Sequence, residues 1–239
     1  MKTLAADHFL FVVLALGLPV FGLVSWRRLR RRLAEGQEGA RLAAYSGTIV
    51  LQWALVVEVF LIWLTAGRPP AALGLVVPRS IAFLVTAGVV GATGTLMLLQ
   101  ARAVRTAAAD VIERLRAQLQ PLEGVLPHTL GERAVFFALS ATAGFCEEVL
   151  YRGFLIGYLT PWLGTWGAAL ASSAVFGLGH AYQGAAGVAK TAALGFAAAV
   201  IYVVSGSLWP AVALHVVMDV QGGIIGYEVF GRRAVKPAA

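Results

Sequence analysis

Cysteine occurs once, at Cys146, which rules out an intramolecular disulfide and any multi-cysteine metal site. A single thiol inside an apolar run is expected to act as a small helix-packing residue. Charge is scarce too: 13% of the 239 residues are Asp, Glu, Lys or Arg, against 59% hydrophobic. That is about half the charge of an ordinary soluble domain, too little for a water-exposed exterior. No Gly-x-Ser-x-Gly elbow surrounds any serine, and Cys146 has no histidine beside it in sequence, so neither nucleophile is evidently activated. His-Glu-x-x-His is missing as well, which excludes the soluble type of zinc protease site. Internal repeats, low-complexity tracts and the short alternating segments of a membrane barrel are absent.

What the chain does have is long apolar runs. Seven can be drawn, at about 9–26, 48–66, 81–99, 134–159, 162–182, 188–204 and 208–227. Most approach the roughly 20 residues that cross a hydrocarbon core about 30 Å thick. Backbone polar groups must be satisfied internally in lipid, so these runs are expected to be helices. The 27 glycines suit close helix approach, where small residues replace the hydrophobic effect as the packing device. The expected fold is all-α: a polytopic transmembrane bundle of about seven spans. Residues 1–133 would hold three spans and a cytoplasmic amphipathic segment, and 134–230 a four-span core of the same membrane domain.

The net charge of +7 raises the question of nucleic acid, and its distribution answers it. The densest run, Arg27, Arg28, Arg30, Arg31 and Arg32, directly follows an apolar stretch, as a cytoplasmic membrane anchor does. Residues 1–26 carry their positive charge after the apolar core, the pattern of a retained anchor instead of a cleaved leader. With the N-terminus outside and the C-terminus cytoplasmic, 15 Lys and Arg fall on the cytoplasmic side. Arg232, Arg233 and Lys236 are among them. Only Lys2, Arg68 and Arg79 fall outside, and Arg152 lies within a span. The partners expected are the lipid bilayer, at the plasma membrane, and no nucleic acid. Between 100 and 133, Ile112, Leu115, Leu119 and Leu122 recur at helical spacing, which predicts an amphipathic helix on the cytoplasmic surface ended by Pro121 and Pro127.

Ionisable residues inside spans are costly and suggest function. Glu147, Glu148 and Arg152 fall in the fourth run, His180 near the end of the fifth, and His215 and Asp219 in the seventh; Glu58 stands alone in the second. Glu148 and Arg152, four apart, share a face and should neutralise each other as a supporting pair. Glu147 points about 100° away from Glu148 and needs a partner from another span. His215 and Asp219 share a face. A carboxylate beside an imidazole can take a proton from water and return it to a leaving amine. Alternatively, His180, His215 and Asp219 could ligate a divalent metal such as zinc with an open water position. Both routes are hydrolytic. A proton or ion transporter would use the same acids and histidines as a relay. Counting along straight helices puts Glu147 about 20 Å from the cytoplasmic side but His180 close to it.

Glu147-Glu148-x-x-x-Arg152, Phe176-x-x-x-His180 and His215-x-x-x-Asp219, in that order, resemble the three-motif signature of the CPBP family. That family comprises type II CAAX prenyl proteases and the bacteriocin-processing or self-immunity (Abi) proteins. The resemblance covers about the last hundred residues. It implies that Glu147 and His180 activate water while His215 and the residue at 219 complete the site. It also implies endoproteolysis near the C-terminus of a membrane-associated or lipid-modified substrate, from a cavity facing the cytosol. A non-catalytic immunity protein with the same fold is the alternative within the family. The last motif often carries Asn where this chain has Asp219, and an ionised Asp cannot donate to an oxyanion.

Overall fold

A computed structural model describes residues 3–231. Lys2, Arg232, Arg233 and Lys236 of the charge pattern lie outside the described residues. The architecture is all-helical, with no strand among the described residues. Helix α1 (Ala5–Val12) passes through a π-helical stretch (Val13–Gly17) into α2 (Leu18–Ala34); α3 (Ala40–Thr65), α4 (Ile81–Ala103) and the short α5 (Ala109–Leu119) follow. Helix α6 (Leu130–Glu147) runs without a break into a second π stretch (Glu148–Ile156) and then α7 (Gly157–Gly179). The chain continues through α8 (Gly184–Ser205) and α9 (Trp209–Gly226), ending in a third π stretch (Tyr227–Gly231).

Five helical segments are long and apolar enough to cross a membrane: Ala5–Ala34, Ala40–Thr65, Ile81–Thr106, Leu130–Gly179 and Ala181–Ser205. Helix α9 is not among them, because it carries His215, Asp219 and Gln221. The fifty residues of Leu130–Gly179 would measure about 75 Å if straight, far more than one bilayer. They double back instead. Pro161 interrupts the helix, and Gly164 leaves helical backbone at φ 65, ψ 169, a region open essentially to glycine alone. Ser172 Oγ then donates to Tyr151 O at 2.7 Å, a contact that only antiparallel arms can make. Runs four and five are therefore one helical hairpin.

The hairpin also removes the expected difference in depth. Glu147 lies 14 residues before Pro161, and His180 lies 16 after Gly164. Measured from the turn, the two sit about 21 and 24 Å along their arms, nearly level. Helix α6 begins at Leu130, four residues before the apolar run. Its start is fixed by a capping box: Glu132 N–H donates to Thr129 Oγ1 and Thr129 N–H to Glu132 Oε2, both at 3.1 Å.

Helix α7 packs on α8, α9 lies against both α6 and α4, and α3 covers α6. Leu10, Leu14, Val59, Phe154, Leu155 and Leu208 form a fully buried core from α1, α3, the hairpin and the start of α9. The exterior is as apolar as the core: Leu16, Leu64, Ile81, Val89 and Leu170 are all largely exposed. Such a surface suits lipid tails and would aggregate in water. The amphipathic stripe is real, but protein covers it in place of lipid. Leu115, Leu119 and Leu122 pack on Leu126, Val229 and Phe230, and Arg116 donates to Val229 O at 2.7 Å. Glu58 is half-buried and stands outside the cavity described next.

Candidate active site

The fourth, fifth and seventh apolar runs bring their polar residues to one place. Glu147 closes α6, His180 caps the C-terminus of α7, and His215 and Asp219 lie one turn apart on α9. All four line a single cavity of about 610 Å³. Gly144 makes the approach of α9 possible. A Cβ there would stand 2.9 Å from the backbone N of Val216, so no side chain fits between α6 and α9 at this level.

The expected Glu148–Arg152 pair forms, at 2.9 Å and almost wholly buried, on the π stretch. Arg152 is satisfied further by Gly195 O at 2.8 Å and by the face of Phe176, 4.5 Å from its centroid. Glu148 does more than neutralise Arg152, however. The same Oε1 accepts from His215 Nδ1 at 2.9 Å. A carboxylate can only accept, so the Nδ1 proton is on His215 and the ring's Nε2 is turned to the cavity. Sequence spacing could not show this link, because Glu148 and His215 are 67 residues apart.

Helix α7 orients His180 by its own backbone. Nδ1 donates to Phe176 O at 2.9 Å, leaving Nε2 as a free acceptor. Glu147 does find its partner on another helix. Gln52 Nε2, on α3, donates to Glu147 Oε1 at 2.7 Å. The second oxygen, Oε2, faces His215 Nε2 at 3.7 Å, and Asp219 Oδ2 is 3.9 Å from the same nitrogen. These gaps are too long for direct hydrogen bonds. Gln52 is the residue that sequence spacing misses. Its signal was an amide within an apolar run, where a polar side chain must have a partner.

Among the described residues, no three His, Cys, Asp or Glu side chains are gathered as ligands. His180 and His215 each place Nδ1–H on an acceptor, an orientation that leaves Nε2 free for a proton, a water or a metal ion. Cys146 is buried and serves packing, as part of the core around Phe154.

Residues 129–221 match the family model described as Type II CAAX prenyl endopeptidase Rce1-like. No curated protein and no solved structure matches the chain.

Proposed function

We propose that the chain, whose residues 129–221 match the Rce1-like model of type II CAAX prenyl endopeptidases, is an intramembrane endopeptidase that hydrolyses a peptide bond near the C-terminus of a membrane-associated or lipid-modified substrate. The observation that carries the proposal is the convergence of Glu147, His180, His215 and Asp219 on one cavity among apolar helices. In this reading a water bridges Glu147 Oε2 and the neighbouring imidazoles. Glu147 takes one of its protons, with His180 Nε2 as second acceptor, and the hydroxide forms the new C–O bond at the scissile carbonyl. The developing oxyanion meets Nε2–H of His215 in its doubly protonated form. Glu147 then gives its proton to the departing amine as the C–N bond breaks. No step passes through a metal.

The finer topology belongs to the same proposal. The α6–α7 hairpin supplies two crossings and α9 a further one, which gives seven, with the N-terminus outside, the C-terminus cytoplasmic and the cavity open to the cytosol. The plasma membrane belongs to the same proposal, and the basic cluster after residue 26 supports the orientation. The test of function is purified protein in lipid vesicles with a panel of membrane-tethered peptides, products read by mass spectrometry. Cleavage at one bond near the peptide C-terminus is expected. Intact peptides throughout, from a folded protein, would count against an active protease.

A further inference from the structure

The general base of the proposed reaction is held by a residue outside the segment that matches the family. Gln52 lies on α3, and the match begins only at 129. We propose that Gln52 belongs to the catalytic apparatus as a positioning and substrate-binding residue, its Nε2 fixing the Glu147 carboxylate and its Oε1 accepting a backbone N–H of the extended substrate beside the scissile bond. This rests on the endopeptidase reading and adds to it the strand-like peptide contact that would set substrate register.

The amide's orientation is decided by chemistry. An ionised Glu147 Oε1 can only accept, so the nitrogen of Gln52 must face it at 2.7 Å and the oxygen must face away. That oxygen is buried and has no hydrogen-bond partner among the described residues, in a side chain only 8% exposed. Buried acceptors in proteins are nearly always satisfied, and an exception beside a cavity is explained by a catalytic or binding role. Gln52 lines the same cavity as the site, and none of the cavity's side-chain donors, Thr48 and Tyr151 among them, bonds its oxygen. A peptide in that cavity brings donors of its own. Successive residues of an extended chain advance about 3.3–3.6 Å. A carbonyl placed between Glu147 and His215 therefore puts a flanking N–H one residue away, within reach of a group directly bonded to Glu147.

The experiment pairs Gln52 variants with an N-methyl scan of the cleaved peptide, in which each N–H near the scissile bond is removed in turn. Gln52→Leu keeps the shape and loses both functions. It should lower kcat on the order of 10²-fold, the scale of a misplaced catalytic group. One N-methyl position should raise KM about tenfold with wild type and leave Gln52→Leu indifferent. Gln52→Glu retains an acceptor without the donor, so kcat should fall while the N-methyl penalty persists; it carries the test if the Leu variant does not fold. Wild-type kcat and KM in a folded Gln52→Leu protein would overturn the proposal. An N-methyl profile unchanged between wild type and Gln52→Leu would overturn the acceptor role. Turnover by Glu147→Gln would instead sink the endopeptidase mechanism itself, so the two failures are distinguishable.

Discussion

Glu148 is the residue whose role the spacing of motifs describes least completely. From sequence it is the counter-charge of Arg152. In the fold one oxygen serves Arg152 and His215 together, so the charge that makes a buried guanidinium tolerable also sets the ring that faces the substrate. Glu148→Gln should therefore lower both stability and turnover. Leaving a buried ion without its partner costs roughly 3–5 kcal/mol, readable as a fall in melting temperature, and a free imidazole should reduce kcat. A variant as stable and as active as wild type would contradict both roles. Asp219 separates acid–base from metal chemistry. It is about a third exposed and lies 3.9 Å from His215 Nε2, beyond a direct bond. For a metal-free site, Asp219→Asn should keep or raise the cleavage rate, since an amide can donate to an oxyanion, and exhaustive chelation should leave wild type active. Stoichiometric zinc in wild type, lost together with activity in Asp219→Asn, would reverse that assignment.

At the scale of elements, the beginning of α6 is a junction with its own pH dependence. His128 stacks on Phe230 with ring centroids 5.5 Å apart, and Arg41 meets both it and Glu132. Burial, and then the Arg41 charge, hold the His128 pKa below its ordinary 6.5. The unfolded chain therefore binds the proton more readily, and stability rises with pH through that range. The contribution is complete above about pH 6.5 and is lost as pH falls toward the lower folded value. Melting temperature should drop between pH 7 and 5, and His128→Gln should flatten the slope; an unchanged slope would remove His128 as the cause. The elements themselves were largely legible, since apolar length alone finds α1–α2, α3, α4 and α8. The hairpin was legible only in part: Pro161 and Gly164 stood in the sequence, but the register of its arms depends on Ser172 meeting a backbone carbonyl. The amphipathic stripe of α5 was visible, whereas its cover was not, because Val229 and Phe230 lie over a hundred residues away.

Across the whole molecule, three motifs of polar residues in apolar runs named residues that the fold gathers on one cavity, because ionisable groups in lipid have few bland explanations. They did not locate Gln52. Its contact with Glu147 spans 95 residues and belongs to no motif, so only the packing of α3 on α6 brings it in. The bias of basic residues makes a statement about the same whole. A reporter fused after Ala239 should be active in the cytoplasm, and activity only on the outer side would refute the proposed orientation. The central claim is that Glu147 activates the water that cleaves the peptide. Its most direct measurement is single-turnover cleavage of one membrane-tethered peptide by wild type and by Glu147→Gln, both shown to be folded by thermal melting. General-base catalysis predicts a loss of about 10²-fold or more with little change in melting temperature. Cleavage by Glu147→Gln at the wild-type rate would contradict it.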